Sequence, residues 1–159
     1  MTPGTFLFDS DFKFHDGRKG EKIFVVLNDG LSGEYLAVKT TSRGHRYGLQ
    51  HGCQVMDRFQ NFFLVKGSCC LSENTWIQLD SFYEFHTSKL IESVMQGAIK
   101  RIGTLDHEHT EKLLICATHS DDISVFQGKM IQASLDNICG IKKADSVSDS
   151  ESSLKGRGV

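Results

Sequence analysis

The chain lacks most of the features that would place it quickly. None of its apolar runs approaches the ~20 residues that a membrane helix needs, so a spanning helix is not expected. Its first residues, Met1-Thr2-Pro3-Gly4-Thr5, lack the basic region and apolar stretch of an export signal, and the expected compartment is the cytoplasm. No charge of one sign dominates, since the net charge is −2, and a global nucleic-acid signature is therefore missing. Gly-rich phosphate loops of the Walker or Rossmann type are absent, so no nucleotide cofactor is expected. No internal repeat is visible.

Metal chemistry is poorly supported as well. His51-Gly52-Cys53, Cys69-Cys70 and His107-Glu108-His109 contain suitable ligands. None has paired Cys-x-x-Cys spacing or the His-Glu-x-x-His helix face. On a helix, His107 and His109 would point about 200° apart and could not share an ion. We expect no metal. The five cysteines, Cys53, Cys69, Cys70, Cys116 and Cys139, are odd in number and two are adjacent, which does not suggest a disulfide framework. In a reducing compartment they are expected to be mostly free, partly buried thiols. Cys53 has His45 and His51 nearby in sequence, but a buried thiol is the favoured reading over a nucleophile.

What is present is ordinary globular material. The length of 159 residues suits one domain, and 11 Phe supply bulk for a core. Phe6, Phe8, Phe12 and Phe14 recur at the even spacing of a half-buried strand. Ile23 to Leu27 is a continuous apolar run, as in a strand buried on both faces. Asn28-Asp29-Gly30 signals a turn, and Glu34 to Thr41 resumes the strand pattern. Arg43 to Gly52 reads as a loop, Phe62 to Lys66 as a strand, and Trp76 to Phe85 as one or two more.

After Thr87 the period becomes helical. Ser88 to Lys100 carries Leu90, Ile91, Val94, Met95 and Ile99, with Gly97 near its end. Thr104 is a plausible N-cap for a second helix with Leu113, Leu114 and Ala117 on its apolar stripe. Ile123 to Leu135 reads as a third. The fold class expected is mainly β or α+β, with one domain over residues 1–140 and a disordered polar tail over 141–159.

The best chemical candidate follows a strand end, in Thr40-Thr41-Ser42-Arg43-Gly44-His45-Arg46-Tyr47. Hydroxyls, guanidinium groups, an imidazole and an aromatic ring suit phosphate contacts and base stacking. A polar loop with capping hydroxyls accounts for the same residues equally well. Arg18, Lys19, Lys22, Lys39, Arg43, Arg46 and Arg58 all fall in the first 60 residues, so a local basic face is open to the chain. His15 is a further acid–base candidate, although a turn histidine is more often merely solvated.

The order of motifs adds a resemblance. Lys22-Ile23-Phe24-Val25-Val26-Leu27 resembles the MazF/PemK toxin strand written Arg-Pro-apolar-Val-Val-Leu. Thr41-Ser42-Arg43 is similar to that family's strand ending in Thr-Ser plus a basic residue. Trp76-Ile77-Gln78-Leu79-Asp80 resembles its strand leading into Leu-Asp-Gln-Leu, and Ile102-Gly103-Thr104-Leu105 its Ile-Gly-x-Leu helix entry. The four motifs occur in order and cover about Phe12 to Ser120. The resemblance implies an SH3-like small barrel with C-terminal helices. It also implies a homodimeric, metal-independent endoribonuclease that cleaves single-stranded RNA by 2′-OH attack and is held inactive by an antitoxin protein.

Carried over by motif, Lys22 takes the place of the family's catalytic arginine and Thr41 that of its phosphate-side hydroxyl, with Ser42 next to it. His45 is the first imidazole candidate for proton transfer. Arg43, Arg46 and Tyr47, with Arg18 and Lys19, are proposed RNA contacts on chemical grounds. The chain departs from the family's pattern at three points: Lys22 for arginine, Ile23 for proline, and a longer, more apolar Asn61 to Asn74 segment. A non-catalytic barrel that binds RNA or a protein partner is the alternative. A regulatory module using the apolar Asn61 to Cys70 surface is a third reading.

Overall fold

The computed structural model describes the backbone of residues 1–155 and the side chains of residues 1–140. Seven strands and three helices follow in the order β1 (Thr5–Lys13), β2 (Lys19–Val26), β3 (Glu34–Thr41), β4 (Gly52–Gln54), β5 (Asn61–Leu64), β6 (Thr75–His86), α1 (Thr87–Met95), β7 (Ile99–Thr104), α2 (His107–Thr118) and α3 (Val125–Lys155). The strands form one antiparallel sheet in the order β4-β5-β6-β3-β2-β1-β7. The fold is therefore mainly β with helices, an α+β arrangement. The order ends on β4 and β7, so the sheet is not closed on itself.

Both faces of the sheet are covered, and the Ile23–Leu27 run shows why. Side chains alternate across a strand, and Val25 and Leu27 enter one core cluster while Phe24 and Val26 enter another. The first cluster is capped by α2 and α3 through Leu113, Leu114, Ile131 and Leu135. The second is capped by Leu90 of α1. Each such aliphatic side chain contributes about 1.5–3 kcal/mol on burial.

The phenylalanine pattern of β1 is split. Phe6 belongs to the first cluster and Phe12 to the second, because a register shift between Asp9 and Phe12 adds a residue and turns the strand over. The Asn28-Asp29-Gly30 turn forms as expected. The Asn28 side chain accepts from Leu36 N–H and donates to Glu34 O, both at 2.9 Å. Gly30 sits at φ +74° with the Tyr35 ring against it, so neither the conformation nor the space admits a side chain.

The first helix is shorter than the sequence suggests. It ends at Met95 and Gly97 turns at φ +80°, so Ile99 opens β7 and pairs with Asp9 of β1. The N-cap of α2 is Asp106 rather than Thr104: its carboxylate accepts from His109 N–H at 2.8 Å. The backbone of α3 continues helical to Lys155, while the side chains of the polar segment 141–159, where a tail is expected, lie outside the described residues. Among the described residues no helix is long and apolar enough to cross a membrane.

The expectation of free thiols holds for Cys69, Cys70 and Cys139 but not for the other two. Cys53 of β4 and Cys116 of α2 form a disulfide, with Cα atoms 5.6 Å apart across 63 positions of sequence. Packing of α2 against the edge hairpin creates this pair, which sequence spacing could not reveal. Cys53 is also exposed, not buried. Closing a loop of this length contributes about 4 kcal/mol by chain entropy.

Candidate functional site

Two neighbouring strands build the site. Lys22 lies on β2 and Thr41 ends β3, and these strands pair antiparallel through Phe24↔Lys39 and Val26↔Ala37. Lys22, Thr41, Ser42 and Arg43 open onto one cleft of about 450 Å³. Leu71, Ser72, Glu73 and Thr75, where the chain enters β6, complete its lining, together with Glu21, the chain neighbour of Lys22.

Lys22 is half-buried. Burial pushes its pKa below the usual lysine value, and the neighbouring charges of Lys39 and Arg43 push the same way. The ion pairs among the described residues involve neither Lys22 nor Arg43, so both cations are available to an anion. Thr40 spends its hydroxyl on Ile23 O at 2.8 Å. Thr41 Oγ1 accepts from Arg43 N–H at 3.1 Å, which turns the chain and leaves its own O–H free to donate. Ser42 is exposed at the rim. A cation of lowered pKa, a free guanidinium and a donor hydroxyl can together neutralise a phosphate, and Glu21 and Glu73 are the acidic residues of the cleft lining.

Neither a scan of known family models nor a search of curated proteins finds a match to this chain.

The remaining candidates lie elsewhere. His45 is exposed on the turn after Arg43 and is not part of the cleft wall. Gly44 before it lies so close to the Trp76 ring that a Cβ would collide with it, which fixes the path of the loop. Arg46 stacks its guanidinium over Phe59, 4.7 Å from the ring centroid. Tyr47 is buried beside Trp76 and its hydroxyl accepts from Gln78 Nε2 at 2.9 Å, so the ring anchors the loop from inside. Arg18 pairs with Asp16 at 2.7 Å, and Lys19 reaches Asp11 at 3.4 Å. His15 stacks on Tyr83, with centroids 3.8 Å apart, and its Nε2 bonds to Phe82 O at 2.9 Å, so it is held in place rather than merely solvated.

Glu21 and Glu73 escape the sequence reading. Glu21 could have been found as the neighbour of Lys22. Glu73 carries no local signal, because only the fold brings residue 73 to the cleft that residue 22 lines.

A second polar cluster joins β4 and α2. Val65 N–H donates to His51 Nδ1 at 3.2 Å, so the neutral His51 carries its proton on Nε2. That proton points at His109 Nε2, 3.0 Å away. His109 in turn donates Nδ1–H to Asp106 Oδ2 at 2.6 Å. The chain is complete only with both rings neutral. Among the described residues no three His, Cys, Asp or Glu are placed to hold a metal ion.

Proposed function

We propose that the chain is a MazF/PemK-like endoribonuclease that cleaves single-stranded RNA without a metal. The observation that carries this reading is the half-buried, unpaired Lys22 facing the same cleft as Thr41 and Arg43. In the proposed reaction the RNA 2′-OH attacks the adjacent phosphorus and the bond to the 5′-oxygen breaks. Glu73 or Glu21 takes the 2′ proton, and the Lys22 ammonium protonates the departing 5′-oxygen. Arg43 and the Thr41 hydroxyl hold the non-bridging oxygens, where charge accumulates in the transition state. Ser42 and His45 contact the flanking nucleotide at the rim. The open sheet, kinked by register shifts in β1 and β3, is read as a variant of the SH3-like barrel. A homodimer, a cognate antitoxin and a cytoplasmic setting belong to the same reading.

The test is incubation of the full chain with long single-stranded RNA in EDTA, wild type against Lys22→Ala. Cleavage that the variant loses supports the assignment, and undiminished cleavage by Lys22→Ala sinks it. A second reading, a non-catalytic RNA-binding domain, is favoured by the position of His45 outside the cleft, which leaves only carboxylates as proton acceptors. Binding without cleavage by the wild type would select it.

A further inference from the structure

The strand β4 is a weakly held edge. It has three residues and pairs only with β5, through Gly52↔Phe63, Cys53↔Phe62 and Gln54↔Asn61. Two ties bind it to α2: the Cys53–Cys116 disulfide and the His51–His109 hydrogen bond. Residues 51 and 53 share one side of the extended chain, and 109 and 116 share one face of the helix, two turns apart. The ties are therefore parallel and close.

The two residues of the bridge differ sharply in exposure. Cys53 is exposed, whereas Cys116 is 1% exposed. A cleft of about 380 Å³ opens on the bridge, walled by His51, Lys112, Ile115 and His119. Behind it, Cys116 Sγ stands 3.8 Å from Asn61 O, so a thiol at that position already has an acceptor. A bridge serving only as a staple needs neither an open face nor a prepared partner for its reduced form.

We propose that Cys53–Cys116 is a thiol-exchange site, entered at Cys53 by a low-molecular-weight thiol, whose opening releases β4 from α2. The incoming thiolate attacks Cys53 Sγ and forms a mixed disulfide there. The Cys53–Cys116 bond breaks, and Cys116 leaves with the electron pair, takes a proton from water and directs its S–H at Asn61 O. A second thiol attacks the thiol's own sulfur in the mixed disulfide, freeing Cys53. Two thiols become one disulfide and the protein gains two S–H groups. With β4 loosened, Gln54 is loosened too. Its side chain accepts from Gln50 N–H at 3.0 Å and donates to Gly48 O at 3.0 Å, so the opening is transmitted along the loop that begins at Arg43. The exchange itself stands whether or not the cleft cuts RNA.

The experiment uses the full chain, purified in air, with the free thiols Cys69, Cys70 and Cys139 first alkylated. Reduced glutathione is added in excess, the reaction is quenched in acid, and peptide masses locate the adduct. The adduct is expected on Cys53 at least about tenfold over Cys116, following the exposure of the two residues. After full reduction, amide exchange at 52–54 quickens while β2 and β3 stay protected, and Cys53→Ser/Cys116→Ser shows the same pattern without glutathione. Adducts equal on both sulfurs, a bridge that resists excess thiol, free thiols at both positions in air, or protection lost throughout β2 and β3 would each overturn the proposal.

Discussion

Acid should weaken the His51–His109–Asp106 chain, and the size of the effect follows from its tautomers. The rings accept one proton only by losing a bond. A proton on His51 Nδ1 displaces Val65 N–H, and one on His109 Nε2 sets two donors face to face across 3.0 Å. Charging both would place two cations at that separation, which costs more than 1 kcal/mol even at the dielectric of water. Burial holds His51 below the usual histidine pKa, and His109 and then Lys112 reinforce it. Glu108 and Asp106 sit on the other side of His109, and Lys112 is paired with Glu108 at 2.8 Å.

As pH falls below the ordinary histidine value of 6.5, the unfolded chain takes up the proton that folded His51 resists. Unfolding then binds protons, and stability declines with acid through that window. One net hydrogen bond between solvent-exposed groups is at stake, and competition from water keeps the contribution below about 1 kcal/mol. Urea unfolding of wild type and His51→Phe at several pH values between 8 and 5 isolates it from the other histidines. The variant should be less stable by up to about 1 kcal/mol at the alkaline end, with the difference vanishing at the acid end. A difference that stays constant or grows with acid would refute the assignment of neutral rings.

Other outcomes follow from the same geometry. Lys22→Ala should lower RNA cleavage about 10²- to 10³-fold, the usual effect of removing one group that stabilises transition-state charge, in a gel assay with EDTA. Leu114→Ala empties a fully buried position between α2 and the sheet and should cost about 2–5 kcal/mol in denaturant unfolding. Gly44→Ala forces a methyl onto Trp76, which is stacked on Phe63 and bonded to Gly48 O, and should cost about 1–3 kcal/mol by the same measurement.

The parts of the fold legible in the sequence are those whose reason is local. Ile23–Leu27 announces a strand covered on both sides because no position in it is polar, and Leu113, Leu114 and Ala117 announce the buried stripe of α2. The strand β4 has three residues and no period to detect, and β7 hides behind Ile99, which also fits the helical spacing of α1. Lys22, Thr41, Ser42 and Arg43 line one cleft because the β2–β3 pair places them there. Glu73, the Cys53–Cys116 bridge and the His51–His109 bond depend on elements that meet only after folding. Tyr47 and Arg46 look like free contacts in the sequence because nothing local shows Trp76, Gln78 and Phe59 closing on them.

The pairing of Thr41 with Trp76 has an evolutionary consequence. The chain leaves β3 after residue 41 and returns at residue 75 on the neighbouring strand β6, so everything between, the β4–β5 edge hairpin included, is a detour with both ends at one place. Such an excursion can lengthen, shorten or be exchanged while β3 and β6 keep their register, provided Phe62, Leu64 and Leu71 keep their places in the core. Both mouths of the detour wall the cleft, Thr41 to Arg43 on one side and Leu71 to Thr75 on the other. Descendants of this chain can thus change what the rim touches without rebuilding the floor beneath it.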